Sequence, residues 1–125
     1  MKTWLCAMLQ KCEAISDDEA AAELAHLPIT NLAEKGHVAE SLKHVNRYLR
    51  RLPNELVMER VRMAELGADI CFDANDMAGM EKYLAIATDT EPFNIRKCDK
   101  GYSIKSVREF RVRRGLLNPA DALND

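Results

Sequence analysis

The sequence predicts an all-helical fold built from antiparallel helical hairpins. Alanine and leucine are the commonest residues, and no stretch alternates apolar and polar residues over the length of a strand. Residues that begin or end helices recur along the chain, notably a capping box at 16–19 and single prolines at positions 28, 53 and 92. The length of 125 residues, with 47% apolar and 30% charged residues, fits one globular domain spanning 1–125.

The N-terminal region, residues 1–35, is predicted to be helical. One helix runs from Lys2 to Ala14. Its predicted inner face consists of Trp4, Leu5, Met8, Cys12 and Ile15. The capping box at 16–19 then starts a second helix at Asp17, because carboxylates are favourable at a helix N-terminus.

Pro28 interrupts the second helix in this prediction. A proline disfavours helical geometry at the residue before it, here Leu27, and is itself comfortable only in the first turn of a helix. We therefore expect a break at Leu27 and a separate short helix from Ile29 to Lys35, ended by Gly36.

Three further helices are predicted in the central region, residues 36–92. The first ends at Leu52, and its apolar stripe consists of Val38, Leu42, Val45, Leu49 and Leu52. Asn54 caps the next helix, which runs to Ala74 and is apolar on two sides, as expected of a helix between neighbours. The third helix ends at Pro92, and its predicted inner face consists of Met77, Met80, Leu84 and Ala87.

The C-terminal region, residues 93–125, is predicted to hold a basic helix and a tail. Ser103 caps this helix, which runs to Arg114 and stops at Gly115. Residues 94–117 carry eight basic side chains against two acidic ones, a local balance of +6. Because the whole chain sums to -2, the remainder carries -8.

Part of the chain resembles the tetratricopeptide repeat. The stretch Gly36-His37-Val38-Ala39-Glu40-Ser41-Leu42, running on to Pro53, is similar to the turn, second helix and closing proline of that repeat. The pattern occurs again from Asn75-Asp76-Met77 to Pro92, with small residues at Ala68 and Ala87. The resemblance covers about residues 22–92 and implies an array of about two repeats with the flanking helices as caps.

The pattern departs from the family in its spacing. Pro53 and Pro92 lie 39 residues apart, whereas the family repeat is about 34 residues. This difference implies roughly one extra turn in the helix that starts at Asn54. Tyr48 and Met80 also stand where the family usually keeps a small residue.

An acidic stripe is the main candidate for a binding site. Glu65, Asp69 and Asp73 recur every four residues on the longest helix, and Arg62 lies beside them. In tetratricopeptide repeats these positions line the inner groove that holds a partner peptide. The resemblance therefore implies a protein-protein interaction module, an adaptor or scaffold, that binds a basic peptide or protein surface through these four residues. A solvated acidic face without a partner is the competing interpretation.

The basic C-terminal helix supports a second hypothesis, nucleic-acid binding, because arginine and lysine neutralise phosphates. Its candidate contacts are Lys97, Lys100, Lys105 and Arg108. Helical angles place Arg111 and Arg114 on the apolar arc of Ile104, which should face the body of the domain. We therefore expect Arg111 or Arg114 to lie near Asp69 or Asp73 of the same chain.

Catalysis, cofactors and metals are not predicted. The chain has no G-x-S-x-G motif and no phosphate loop. The pairs Glu23-x-x-His26 and Glu34-x-x-His37 match only part of a di-iron pattern, which needs two further glutamates.

The cysteines and the overall composition predict a cytoplasmic protein. Cys6, Cys12, Cys71 and Cys98 are expected to be free thiols, because we find no export signal and no C-x-x-C spacing. The composition argues against membrane spanning. A homo-oligomer, held by the apolar face of the first helix and by Pro92-Phe93, stays open as a third hypothesis.

Overall fold

The computed structural model of the chain describes residues 2–88 and 97–123, with the side chains at 97–101, 122 and 123 outside the described part. Every regular element in these ranges is a helix, which confirms the predicted all-helical fold. The helices are α1 (Lys2–Glu13), α2 (Asp18–Glu34), α3 (Val38–Arg51), α4 (Val57–Asp73), α5 (Met77–Thr88), α6 (Lys97–Arg113) and α7 (Pro119–Leu123). None of these described helices is long and apolar enough to cross a membrane.

Helices α1 to α6 pack as an array of two layers. In one layer, α4 contacts α2 on one side and α6 on the other. In the other layer, α1 packs on α2, α3 packs on α2 and α4, and α5 packs on α4 and α6. Side-chain contacts join this second layer, for example Lys2 with Glu40 and Tyr83 with Asn46. Consecutive helices from α1 to α6 thus alternate between the two layers.

Helix α4 lies at the centre of the array and is apolar on two sides, as predicted. Its buried residues are Val57, Val61, Met63, Ala64, Gly67, Ala68, Ile70 and Cys71. A Cβ atom on Gly67 would lie 2.7 Å from Cδ1 of Tyr83, so the absence of a side chain lets α5 approach closely. The small residues Ala68 and Ala87 are both fully buried.

Helix α2 continues through Pro28, so the predicted break at Leu27 is wrong. Pro28 is buried inside the helix together with Ile29, and Thr30 Oγ1 donates a hydrogen bond to the His26 carbonyl at 2.9 Å. A proline inside a helix costs about 3 kcal/mol, and burial of the neighbouring apolar side chains against α1, α3 and α4 offsets that cost. Asp17 caps this helix, because its Oδ1 accepts hydrogen bonds from the first-turn amides at residues 19 and 20.

Three predicted positions on the inner faces and caps are wrong. Trp4 is 60% exposed, because the inner face of α1 keeps Leu5 and Cys12 but is shifted toward Leu9. Met77 is 42% exposed at the first residue of α5. Asn54 does not cap α4, whose N-cap is Leu56. A turn in which the Leu56 amide donates to the Pro53 carbonyl precedes this helix instead.

The C-terminal helix also differs from its prediction. It begins at Lys97, so Ser103 is a buried residue inside it and not its cap. Ile104 is 37% exposed, because the inner face is rotated toward Ser103, Val107 and Phe110. Gly115 ends the helix with a φ of 74°, as predicted. The short α7 that follows was not predicted.

Candidate partner-binding groove

A groove runs along α4 between α2 and the end of α6. Its larger part has a volume of about 420 Å³. The floor of this part is apolar and consists of Ala33, Val38, Leu66, Ile70 and Ala74. Its polar lining consists of Thr30, Glu34, Asp69, Asp73 and Arg114. A smaller hollow of about 170 Å³ shares Leu66 and Asp69 with it and adds His26, Arg62, Glu65 and Arg113. We call the two parts together the α4 groove.

The α4 groove contains all four residues that the sequence singled out. Arg62, Glu65 and Asp69 line the smaller part, and Asp69 and Asp73 line the larger part. They share one side of α4 because they are spaced three or four residues apart. Asp69 is half-buried, whereas Arg62 and Asp73 are exposed.

The side chain of Arg114 reaches from the end of α6 to two carboxylates of α4. Its Nε and Nη2 lie 2.8 and 2.5 Å from Oδ1 of Asp69, and its Nη1 lies 3.1 Å from Oδ1 of Asp73. Burial works against the charged guanidinium, but the hydrogen bonds to both aspartates outweigh it and raise the pKa of Arg114. The predicted contact between the basic helix and the acidic stripe is therefore confirmed for Arg114.

An aromatic ring completes the surroundings of this guanidinium. The guanidinium carbon of Arg114 lies 4.7 Å from the centre of the Phe72 ring, within the range of a cation–π interaction. Phe72 comes from α4, between Asp69 and Asp73 in the sequence. We did not predict a role for Phe72, although an aromatic residue three positions after Asp69 lies on a neighbouring part of the helix surface.

Arg111 contacts α5 and not the acidic stripe of α4. Its Nη1 and Nη2 donate to the two carboxylate oxygens of Glu81 at 2.7 and 2.8 Å, and this contact lowers the pKa of Glu81. Of the two arginines that could meet the acidic stripe, Arg114 makes the contact, and Arg111 meets a carboxylate of α5 instead. Arg111 and Arg114 are three residues apart, and they form ion pairs with α5 and α4 respectively.

Glu65 and Asp69 receive further contacts from α6. Ser106 Oγ donates to Glu65 Oε2 at 2.8 Å, and Arg113 Nη1 lies 3.5 Å from Asp69 Oδ1. Burial raises the pKa of Glu65 above its ordinary value, and the Ser106 hydrogen bond opposes that rise. The end of α6 thus covers the middle of the acidic stripe.

The larger part of the α4 groove has exposed carboxylates at Glu34 and Asp73. Glu34, on α2, is exposed and has no ion-pair partner among the side chains that the structure describes. Asp73 shares Arg114 with Asp69, and its side chain is 67% exposed. In the smaller part of the groove, burial and the nearby Arg62 lower the pKa of His26, which favours the neutral imidazole. Glu34 could not be predicted as a groove residue, because the distance between α2 and α4 depends on tertiary packing.

The candidate nucleic-acid contacts lie only partly within the described residues. Lys105 is exposed, and its Nζ lies 4.0 Å from Glu109. Arg108 is half-buried and already has an interaction within the protein. The side chains of Lys97 and Lys100 lie outside the described part.

Two further groups of side chains concern metal binding and disulfides, namely a cluster of carboxylates and the cysteines. Within the described residues, one group of carboxylates lies within 4.8 Å of one another, formed by Glu19, Glu23 and Glu59. Their mutual repulsion, chiefly from Glu59, raises the pKa of Glu19. Cys6, Cys12 and Cys71 are free thiols, as predicted, and Cys98 lies outside the described side chains.

No protein-family model, no curated protein and no solved structure matches the chain. The likeness to tetratricopeptide repeats therefore remains a resemblance carried by the motifs between residues 22 and 92. What the chain does has to be inferred from the contacts and charges of the α4 groove.

Proposed function

We propose that this chain is a protein-protein interaction module, with a tetratricopeptide-like arrangement of hairpins, that binds a basic peptide or protein surface in the α4 groove. One observation carries the proposal. Asp69 and Asp73 already hold a guanidinium, that of Arg114, next to an open and partly apolar space. The groove thus accommodates a basic side chain in the geometry that a bound ligand would use.

The charge of the groove favours a cationic ligand. Glu34, Asp69 and Asp73 contribute three carboxylates to the larger part, and Arg114 contributes one positive charge. A cleft lined mainly by one sign of charge attracts ligands of the opposite sign and speeds their association. A basic segment approaching the groove would first meet its exposed carboxylates, Glu34 and Asp73.

The apolar floor supplies affinity that the charges alone would not. An exposed ion pair contributes at most about 1 kcal/mol, because water and salt screen it. Burying apolar ligand surface contributes about 25 cal/mol per Å². A peptide that alternates basic and apolar side chains would place the apolar ones over Leu66 and Ile70. Its basic side chains would then reach Glu34 and Asp73.

Fluorescence anisotropy of a fluorescein-labelled hexapeptide that alternates arginine and leucine tests this proposal. We expect Glu34→Gln and Asp73→Asn each to weaken binding about two- to fivefold, since each removes one rim charge. Glu55→Gln is the matched control, because Glu55 is an exposed carboxylate outside the groove lining. Equal affinities for the wild type and the double variant Glu34→Gln/Asp73→Asn would contradict the proposal.

Nucleic-acid binding by α6 is the second candidate, favoured by the balance of +6 over residues 94–117 and by the exposed Lys105. Against it, Arg111, Arg113 and Arg114 all lie near carboxylates of the same chain. Retention on immobilised DNA and RNA at rising salt separates the two candidates. Retention that Lys105→Ala weakens and that falls steeply with salt would favour α6.

A further inference from the structure

We infer that the α4 groove recognises arginine in preference to lysine, and that Arg114 occupies the recognition site in cis until an arginine of the partner displaces it. This inference rests on the proposed function above and names the side chain that the groove selects. The site consists of Asp69, Asp73 and Phe72, which we call the guanidinium site.

The guanidinium site matches the shape of an arginine side chain. Asp69 Oδ1 accepts from both Nε and Nη2 of Arg114, while Asp73 accepts from Nη1. These three nitrogens lie in one plane with fixed spacing, and the guanidinium carbon between them lies over the Phe72 ring, 4.7 Å from its centre. An ammonium group is a single point charge without a planar fork, so it cannot make all of these contacts at once. The geometry therefore discriminates between two side chains of equal charge.

Arg114 is placed where it can leave without disturbing the core. It follows the last residue of α6, Arg113, and precedes Gly115, whose positive φ ends the helix. The buried contacts of α6 lie earlier in the helix, at Val107 and Phe110. Release of Arg114 thus requires a change in one side chain and the terminal turn only.

The space beside the guanidinium site can receive the incoming side chain. Arg114 lines the larger part of the α4 groove together with Asp69 and Asp73, and that part continues to Glu34. A partner's basic segment could bind Glu34 first and then exchange with Arg114. The apparent affinity of the wild type is reduced by the fraction of molecules in which Arg114 occupies the site.

Two labelled peptides test the inference: the hexapeptide that alternates arginine with leucine, and its counterpart with lysine. We expect Arg114→Ala to bind the arginine peptide about tenfold more tightly than the wild type does. In this variant the arginine peptide should also bind about tenfold more tightly than the lysine peptide. Arg111→Ala is the matched control, because Arg111 contacts Glu81 outside the groove lining and should leave both affinities unchanged.

Arg114→Lys keeps the test valid if Arg114→Ala does not fold, as judged by circular dichroism. Lysine retains the positive charge but lacks the planar guanidinium. The Arg114→Lys protein should therefore also bind the arginine peptide more tightly than the wild type does. Equal affinity of the wild type and both Arg114 variants, or equal affinity for the two peptides, would overturn the inference and leave the proposed function standing. Binding of neither peptide to any variant would overturn both. Sedimentation that shows a dimer lost in Arg114→Ala would assign the site to a second copy of this chain and also overturn the inference.

Discussion

Asp69 and Arg114 lie 45 residues apart in the chain, yet Nε of Arg114 lies 2.8 Å from Oδ1 of Asp69. Their side chains are only 26% and 22% exposed. A double-mutant cycle with Asp69→Asn and Arg114→Gln should give a coupling energy of about 1 kcal/mol, because the ion pair is partly shielded from water. Asp73 and Arg111 form the control pair, since Arg111 contacts Glu81, and their coupling should stay below about 0.5 kcal/mol. A larger coupling for the control pair would contradict the described geometry.

Gly67 and Tyr83 set the distance between α4 and α5. Gly67→Ala should destabilise the protein by about 1–3 kcal/mol, because the new methyl group would overlap the tyrosine ring. The higher helix propensity of alanine opposes this loss by at most about 1 kcal/mol. Thermal unfolding measures the change, and in a Tyr83→Leu background, which removes the ring, the loss should shrink. A melting temperature for Gly67→Ala at or above that of the wild type would count against the packing.

Glu65 makes the stability depend on pH in a defined direction. Burial raises its folded-state pKa above the ordinary value of 4.5, so the ionised form is disfavoured in the folded protein. Above its folded pKa, the ionised Glu65 therefore lowers the free energy of unfolding. As the pH falls through that pKa toward 4.5, this destabilisation disappears. Glu65→Gln can still accept the Ser106 hydrogen bond.

We expect the glutamine variant to be more stable than the wild type at pH 7 and to lose that advantage at acidic pH. Chemical denaturation at a series of pH values measures this difference. Glu55→Gln serves as the control, because Glu55 is an exposed carboxylate outside the groove lining. A constant difference between Glu65→Gln and the wild type across the series would show that the carboxyl is not perturbed.

Cys6 should react slowly with thiol reagents, and Glu40 is part of the reason. Burial first, and then a hydrogen bond from the thiol to Glu40, raise the pKa of Cys6. Glu40→Gln should lower this pKa and speed the alkylation of Cys6 at pH 8, because the thiolate is the reacting form. Mass spectrometry assigns the modified cysteine, and Glu23→Gln, an exposed change on α2, is the control. Unchanged or slower alkylation in Glu40→Gln would contradict this account.

Thiol titration of the unreduced, denatured protein should find all four cysteines of the sequence.

The features predicted correctly are those in which local pattern and packing agree. The two apolar sides of α4 imply a central helix, and α4 contacts helices on both sides. Gly115 follows the last turn of α6 and ends it with a positive φ. The contact between Arg114 and the acidic stripe followed from two patterns, a repulsive row of carboxylates and an arginine on an apolar arc.

The wrong predictions come from local rules that packing overrides. Pro28 disfavours a helix locally, but its ring is buried within α2 and the helix continues. Ser103 has the chemistry of a cap, yet α6 begins earlier and buries this side chain. The position of Glu34 in the lining of the α4 groove could not be predicted. It depends on how α2 packs against α4 and not on any spacing in the sequence.

Chemical-shift mapping tests the central claim, that the α4 groove binds a basic ligand, most directly. The ¹⁵N-labelled Arg114→Ala protein would be titrated with the arginine–leucine hexapeptide while amide signals are followed. We predict that the largest shifts fall on α4 around Asp69 and Asp73 and on the end of α2 around Glu34. Shifts confined to the surface of α6 around Lys105, or no shifts at saturating peptide, would contradict the account.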